Sequence, residues 1–206
     1  MSQALVTWYG HSCFRIELAG SSIVLDPYAP ASVPGIRLPD LRADAVHCSH
    51  GHSDHNASDR VELSGKPVNF VLRTLEGTHD HHAGTRRGKN RIAVLEGDGL
   101  RIVHLGDQGC LLTQAQIDAI GRPDLLLVPV GGFFTIDCAE ARAIVEQLRP
   151  RVAVPMHFRE GKIGYDKIST VDAFLEGDRP VVRIEGDSFA VTPDMPEQII
   201  LPKLVQ

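Results

Sequence analysis

The sequence predicts an α/β fold in which two β-sheets stack on each other and helices flank them. Two observations lead to this fold class. Short apolar segments separated by turns fill the first half of the chain, and apolar segments alternate with helical periodicity in the second half. No internal repeat, low-complexity tract or linker divides the 206 residues, which is the length of one ordinary domain. We therefore expect a single domain over residues 1–206.

The first half reads as strands that are rich in branched and aromatic residues and are punctuated by Gly10 and Gly20. Gly97-Asp98-Gly99 is typical of a tight hairpin turn. A helix is expected to open near Ala57. The predicted strands are Leu5–Tyr9, Cys13–Leu18, Ser22–Leu25, Ala45–Cys48, Lys66–Leu72, Ile92–Leu95 and Leu100–Leu105.

The second half shows helical periodicity. The segment Thr113–Ile120 begins with a residue suited to an N-cap and stops before Gly121, a usual C-terminal glycine. A second helix is predicted over Asp137–Leu148, because apolar residues recur on one face and Pro150 follows. Two nearly all-apolar strands flank it, as expected for strands covered on both faces. The remaining predicted elements are strands Leu125–Val130 and Val152–Pro155, helix Thr170–Leu175, and a closing hairpin of Val181–Ile184 with Phe189–Thr192.

Composition excludes several classes of protein. The net charge of −5 gives no support to a nucleic-acid binder, so no nucleic-acid partner is expected. The longest apolar run, Leu125–Val130, is far too short to cross a membrane, so no membrane partner is expected either. Residues 1–5 lack a basic and apolar leader pattern, which predicts a cytoplasmic protein. The four cysteines are widely spaced, which argues against a disulfide framework and a zinc ribbon.

Ten histidines are present, and they are clustered rather than scattered. Within six residues lie four side chains that can bind metal: His50, His52, Asp54 and His55. Imidazole nitrogen and carboxylate oxygen suit Zn²⁺, with Mn²⁺ or Fe²⁺ as alternatives. Alternation lets an extended turn aim His50 and His52 at one ion, and the adjacent Asp54-His55 pair can serve a second. A structural zinc site is the main competing interpretation, but such sites usually have four closed ligands, often cysteines, and no suitable cysteine set exists here.

The HxHxDH pattern of these residues resembles the metallo-β-lactamase superfamily of metallohydrolases, and within it the compact branch similar to ascorbate-6-phosphate lactonase. The resemblance extends over most of the chain, through landmarks in family order. Asp26-Pro27 resembles the aspartate that ends an early strand and supports the metal loop. The other landmarks are Trp8-Tyr9-Gly10-His11-Ser12, His79-Asp80 with Gly84, Arg87-Gly88 and Asn90, His104-Leu105-Gly106-Asp107, Pro129-Val130-Gly131-Gly132, and Pro155-Met156-His157.

The resemblance implies an αββα sandwich in which helices flank two mixed β-sheets, and a centre of two divalent ions, zinc first and manganese or iron as alternatives. Asp54 would be the catalytic residue, orienting the attacking water or receiving its proton. Asp107 would bridge both ions, where an antibiotic-destroying β-lactamase would have cysteine. The implied ligands are His50, His52 and His79 for one ion and Asp54, His55 and His157 for the other.

Several assignments stay open from the sequence alone. His81 or His82 could replace His79 as a ligand. If residues 100–105 form a strand, His104 points away from the metals and packs in the interior. His11 either lines the mouth of the site, binding substrate or passing a proton, or is a satisfied loop residue. A basic stretch near His79, namely Arg86, Arg87, Lys89 and Arg91, either binds an anionic substrate or is a solvated loop with Asp80 and Glu96 as counterions.

The function that these observations favour is a metal-dependent hydrolase. Its expected nucleophile is a hydroxide activated by two metals, acting on a lactone or phosphoester of a small anionic metabolite. The alternatives are a phosphodiesterase or nuclease, and a metal-binding or sensing module without turnover. The expected partner is a small-molecule substrate, and a homo-oligomer is compatible with the sequence.

Overall fold

Two mixed β-sheets pack face to face, with helices against the larger one, which confirms the predicted fold class. The computed structural model describes residues 2–205. The helices are α1 (Gln114–Ile120), α2 (Cys138–Leu148) and α3 (Asp172–Leu175). The strands are β1 (Ala4–Trp8), β2 (Phe14–Leu18), β3 (Ser21–Leu25), β4 (Leu41–Ala43), β5 (Ala45–His47), β6 (Val61–Leu63), β7 (Val71–Thr78), β8 (Lys89–Gly97), β9 (Leu100–His104), β10 (Leu125–Pro129), β11 (Val152–Met156), β12 (Val181–Arg183), β13 (Ser188–Val191) and β14 (Gln198–Leu201).

The smaller sheet has the strand order β13-β1-β2-β3-β5, in which β3 and β5 are a parallel pair of neighbours and the other neighbouring pairs are antiparallel. Strands β1 and β2 alternate buried and more exposed residues, as expected where one face covers a core. Strand β3 is buried throughout. Its Ile23 and Leu25 face the core between the sheets, whereas Val24 packs into a second apolar cluster with Tyr28 and Leu41. A layer of loops and the β4-β6 pair therefore covers the outer face.

The larger sheet has the order β12-β14-β11-β10-β9-β8-β7, parallel from β12 to β9 and antiparallel from β9 to β7. Strands β10 and β11 are completely buried, as their apolar composition predicts. Helix α2 contacts β10, α1 and α3. Both α1 and α2 begin with a capping box, Thr113 with Gln116 and Asp137 with Glu140. These capping residues explain why the starts of both helices could be predicted from the sequence.

The predicted turn at Asp98-Gly99 is confirmed as a two-residue hairpin between β8 and β9, with positive φ at both residues. Three predictions were wrong. The strand expected over 66–72 is β7, displaced to 71–78, because an edge strand exposed on both faces carries no apolar alternation. The helix expected near Ala57 is a single 3₁₀ turn, Ser58–Arg60.

The third error concerns the closing hairpin. Strands β12 and β13 do not pair with each other. Strand β13 pairs with β1 in the smaller sheet, while β12 pairs in parallel with β14 in the larger sheet. The short strand β14 was not predicted from the sequence, and without it β12 had no visible partner.

Within each sheet, the strands that lead into the predicted metal site run in one direction. Strands β1 and β3 are parallel because each is antiparallel to β2, and β5 is parallel to β3. In the other sheet β7, β9, β10 and β11 share one direction for the same reason. Their carboxyl ends therefore meet along one edge of the sandwich. The longest helix among residues 2–205 has 11 residues, and none could span a membrane.

Candidate metal centre

The predicted ligands follow the carboxyl ends of four strands. The loop after β5 carries His50, His52, Asp54 and His55, and His79 directly follows β7. Asp107 follows β9 and His157 follows β11. Residues distant in sequence thus come together because the two sheets end at one edge. All seven residues of the predicted ligand set lie in this single cluster.

One group consists of His50, His52 and His79, each of which offers a ring nitrogen within 4.8 Å of the others. His50 and His79 are buried, whereas His52 is exposed. His50 Nε2 lies 2.9 Å from His52 Nδ1. Three converging imidazoles with one side open to solvent form a set that can hold a divalent ion and leave a position free.

A second group has four members: the predicted ligands Asp54, His55 and His157, together with His11. His11 Nε2 lies 3.3 Å from Asp54 Oδ2, and its ring centroid lies 4.2 Å from that of His157. His11 is buried, although it adopts a left-handed backbone conformation with φ of 52°. The open question about His11 is therefore answered in part, since it lies inside the cluster and is not a satisfied loop residue: both of its buried ring nitrogens lack a hydrogen-bond partner within residues 2–205.

Asp107 lies between the two groups. Its Oδ2 is 3.2 Å from His79 Nε2 and 3.3 Å from His157 Nε2. Its Oδ1 is 3.3 Å from His55 Nε2. One carboxylate thus faces both histidine groups at once, which is the position that a bridging ligand requires.

Gly106 allows Asp107 to reach this position. The glycine has φ of 57°, and a Cβ there would lie 2.3 Å from Asn90 Oδ1 and 2.5 Å from Ser49 Cβ. No other residue fits between these neighbours without displacing them. Asn90 Oδ1 also accepts a hydrogen bond from the Asp107 main-chain N–H. The glycine and the asparagine together fix the turn that presents the carboxylate.

The electrostatics of the cluster are those of a site built for cations. Burial and the neighbouring His55 lower the pKa of His50 to about 3, and burial with His157 lowers the pKa of His11 to about 4. Burial would raise the pKa of Asp107, but His157 and His55 outweigh it and hold that pKa well below its ordinary value. His50 and His11 are thus kept neutral and Asp107 ionised, which are the forms that bind metal.

Several buried polar atoms of the cluster make no hydrogen bond within residues 2–205. An unsatisfied buried polar atom costs about 1–3 kcal/mol, so a cluster of them indicates a missing partner. Nitrogen and oxygen donors without sulfur suit Zn²⁺, Mn²⁺ or Fe²⁺. The residues present therefore fit divalent ions. The unsatisfied atoms are His11 Nδ1 and Nε2, His55 Nε2, His79 Nδ1, Asp107 Oδ1 and His157 Nδ1.

Asp26 supports the predicted metal-binding loop after β5 through hydrogen bonds, as the resemblance implied. It is completely buried and follows β3. Its Oδ1 accepts the Ser49 main-chain N–H at 2.7 Å, and its Oδ2 accepts the Ser49 hydroxyl at 2.6 Å. Oδ2 also lies 2.8 Å from His55 Nδ1. The start of the loop and one of its histidines are therefore held by a single carboxylate.

The other histidines lie outside the cluster. His104 Nε2 donates to the Ser12 carbonyl and its Nδ1 accepts the Gly106 N–H, so both ring nitrogens are occupied, in agreement with the packed role predicted for it. His81 is largely exposed and pairs with Glu140 at 2.6 Å. His82 is exposed. Of the three histidines near position 80, His79 is the one that the structure places at the site.

Sequence analysis missed Tyr165. Its hydroxyl oxygen lies 2.6 Å from the Ser32 carbonyl oxygen and 3.0 Å from Asp54 Oδ2, so these two acceptors share its single proton. Burial and the nearby Asp54 raise the pKa of Tyr165, so the hydroxyl keeps its proton. A lone tyrosine 111 residues from Asp54 gives no pattern that could have revealed the contact.

A cavity of ≈ 340 Å³ opens onto the cluster. Predicted ligand residues form its floor, and cationic and aromatic side chains form its walls. The residues that line it are His52, Asp54, His79, Arg86, Arg87, Asp107, Phe134, His157 and Tyr165.

Residues 5–157 match the family described as Beta-lactamase superfamily domain. A UPF0173 metal-dependent hydrolase of Carboxydothermus hydrogenoformans is 30% identical over 190 residues, which cover 74% of this chain and 84% of the relative. One from Thermoplasma volcanium is 27% identical over 186 residues, or 74% of this chain and 82% of the relative.

A crystal structure from Thermotoga maritima, a candidate Zn-dependent hydrolase of the metallo-β-lactamase superfamily, superimposes with a TM-score of 0.77 and 31% identity. The alignment covers 97% of this chain and 98% of that protein. An isothiocyanate hydrolase from Delia radicum gut bacteria shares the fold with a TM-score of 0.68, at 14% identity, over 98% of this chain and 97% of that one. The family match, the relatives and the His/Asp cluster agree, and the chain therefore belongs to the metallo-β-lactamase superfamily as a metal-dependent hydrolase.

Proposed function

We propose that this hydrolase uses two divalent ions, zinc first and manganese or iron as alternatives, to cleave a lactone or a phosphoester of a small anionic metabolite. The observation that carries the proposal is the position of Asp107. Its two oxygens lie 3.2 Å from His79 Nε2 and 3.3 Å from His55 Nε2, which belong to different groups. A carboxylate that faces both groups supports two adjacent ions rather than one.

In this proposal His50, His52 and His79 hold one ion, and Asp54, His55 and His157 hold the other, with Asp107 shared. When bound, the ions supply Lewis-acid activation of water and of the substrate near neutral pH. His52 is exposed whereas His50 is buried, which supports entry of the substrate from the side of the cluster where His52 lies.

Asp54 is the proposed catalytic residue, and the protein holds it in the ionised form. Burial would raise the pKa of Asp54, but His11 and His55 outweigh it and hold the pKa well below its ordinary value. The carboxylate is therefore ionised and can receive the proton of the attacking water. Tyr165 donates to Asp54 Oδ2, and His11 lies beside the same oxygen. These two residues orient the carboxylate.

The test begins with elemental analysis of protein made without a histidine tag. We expect close to two ions per chain after loading with zinc or manganese. The loaded protein is then assayed against lactones, phosphomonoesters, phosphodiesters and thioesters. Turnover of a lactone or phosphoester supports the proposal. A single tightly held ion under excess metal overturns the dinuclear part, and turnover restricted to thioesters overturns the substrate class.

A further inference from the structure

Two arginines at the cavity lack the acidic partners that a merely solvated loop would provide. Arg86 and Arg87 both line the cavity, and within residues 2–205 neither side chain makes an ion pair. Glu96 pairs with Arg73 and Arg101 instead. The guanidinium charges are therefore available to a ligand.

The other expected counterion, Asp80, is committed to the main chain. Its carboxylate accepts four main-chain N–H groups of the loop. The bonds range from 2.7 to 3.1 Å. Asp80 thus fixes the shape of the loop and does not contact either guanidinium. The donors are His82, Gly84, Arg86 and Arg87.

The same loop is tightened by a glycine. Gly84 has φ of 78°, and a Cβ there would lie 2.7 Å from the Gly88 carbonyl oxygen. The Gly88 N–H donates to the Gly84 carbonyl at 2.9 Å. Because Asp80 and this turn order the loop before any ligand binds, the arginines lose less entropy on binding.

Aromatic side chains hold Arg87 at the cavity wall. Its guanidinium lies 4.7 Å from the centroid of the Phe134 ring and 5.6 Å from that of Phe133. Stacking uses the face of the guanidinium and leaves its N–H groups free to donate in the plane. Phe134 also contacts Tyr165, with ring centroids 5.5 Å apart. A continuous wall therefore joins Arg87 to the tyrosine that binds Asp54.

Phe133 is an exposed aromatic residue at the same wall, with an unfavourable backbone conformation. It is 57% exposed and adopts φ of 56°, a conformation that is unfavourable for an aromatic residue. Lys167 Nζ lies 5.0 Å from its ring centroid and has no ion pair within the described residues. An exposed, strained aromatic beside unpaired cations is typical of a ligand-contacting surface.

We propose that Arg86 and Arg87 form an oxyanion subsite that binds a carboxylate or phosphate group of the substrate, at a distance from the bond that is cleaved. This inference rests on the proposed hydrolase function and specifies its substrate class. The planar guanidinium matches the two-oxygen geometry shared by carboxylate and phosphate. In a chain with net charge −5, such a local positive site also selects anions over neutral compounds.

The test compares two probes on zinc-loaded protein: the neutral ester 4-nitrophenyl acetate and the carboxylate-bearing ester mono-4-nitrophenyl succinate. We expect the native enzyme to prefer the anionic ester by about tenfold or more in kcat/KM, mainly through KM. The double variant Arg86→Gln/Arg87→Gln should remove this preference, so that the ratio of the two kcat/KM values falls to about one. Lys89→Gln is the matched control, because Lys89 is a nearby cation already paired with Glu76. An equal preference in the native enzyme and the double variant overturns the subsite.

A binding measurement separates the subsite from the hydrolase function. Benzoate and phenylphosphonate are titrated calorimetrically into zinc-loaded native protein and into the double variant, with metal content measured on each sample. We expect at least one of the two to bind about tenfold more weakly to the double variant, and the more affected probe identifies the preferred anion. This loss without hydrolysis of any ester supports the subsite and contradicts the hydrolase proposal. Unchanged binding of both anions contradicts the subsite.

Discussion

Asp26 and His55 form a buried pair in which Asp26 Oδ2 lies 2.8 Å from His55 Nδ1. The carboxylate accepts the Nδ1 proton, which leaves His55 Nε2 facing Asp107 Oδ1 at 3.3 Å. Burial lowers the pKa of His55, but Asp107 and Asp26 outweigh it and raise the pKa well above the ordinary value. Such a carboxylate behind an imidazole orients the ring and increases its basicity toward a metal.

The Asp26→Asn variant should lower the affinity for one ion by about 10- to 100-fold, because the amide carries no charge and holds His55 less strongly. The measurement is competition with a chelator, followed by elemental analysis. Asp44→Asn is the control. Like Asp26, Asp44 accepts hydrogen bonds from the main chain and the hydroxyl of a serine, which is Ser22 in its case, but it lies outside the cluster. Equal metal affinity in Asp26→Asn and Asp44→Asn would show that the Asp26–His55 pair has only a structural role.

The Asp107→Ala variant should lose at least one ion, because its carboxylate faces both histidine groups. The His104→Ala variant should keep both ions, because both His104 ring nitrogens are engaged with main-chain groups. Its stability should nevertheless fall by about 1–3 kcal/mol, since Ser12 O and Gly106 N–H lose a buried partner. Elemental analysis and urea unfolding measure the two effects. Equal loss of metal in both variants would contradict the assignment of Asp107.

The Asp54→Asn variant should reduce turnover about 10²- to 10⁴-fold with a smaller effect on substrate binding, because the change removes the proposed proton acceptor while keeping its size. In the native enzyme the rate should rise through an apparent pKa near about 7 and then level off, and that pKa belongs to the coupled site rather than to one residue. Metal content is measured on the same sample, since Asp54 is also a proposed ligand. A variant with both ions, full rate and the same pH profile would remove Asp54 from the mechanism.

The Tyr165→Phe variant should lower kcat by about tenfold or more and change KM little, because a hydrogen bond to a charged group contributes about 1.5–3 kcal/mol. The phenyl ring keeps the contact with Phe134, so the cavity wall is preserved. Steady-state kinetics with metal analysis measure the effect. A change confined to KM would assign Tyr165 to substrate binding instead of the orientation of Asp54.

The metal-free protein should lose stability as the pH falls below about 6.5. In the unfolded chain histidines bind protons near pH 6.5, whereas folded His11 and His50, with pKa values of about 4 and 3, stay neutral. The unfolded state then binds more protons, so each such histidine lowers the unfolding free energy by up to about 1.4 kcal/mol per pH unit. His55, whose pKa is raised, is protonated in both states below about pH 6.5 and adds no slope there, whereas the lowered pKa values of His79 and His104 add to the trend.

Urea unfolding after EDTA treatment, at pH 7, 6 and 5, measures this dependence. His11→Gln is the matched variant, because it removes one of the buried imidazoles and should flatten the profile. Stability that is constant or rises between pH 7 and 5 would show that protonation of the cluster does not oppose folding.

The sequence alone determined the fold class, the family and the HxHxDH part of the cluster. These features are local in the chain: the HxHxDH segment lies within six residues, and the capping boxes of α1 and α2 lie within four. The ligand roles of His79, Asp107 and His157 stay predictions, although the structure brings these residues to the same edge. Strand β7 shows where prediction from apolar periodicity fails, because an edge strand that is exposed on both faces has no apolar alternation.

Only the tertiary structure decided which residues meet across the chain. Tyr165 reaches Asp54 from 111 positions away, and β13 leaves its neighbour β12 to pair with β1. The tertiary structure also decided that Arg86 and Arg87 have no acidic partner, since Asp80 and Glu96 bind other groups. The physical reason is that sequence periodicity reports which face of an element is buried, whereas contacts between distant segments depend on how two sheets and their loops pack together.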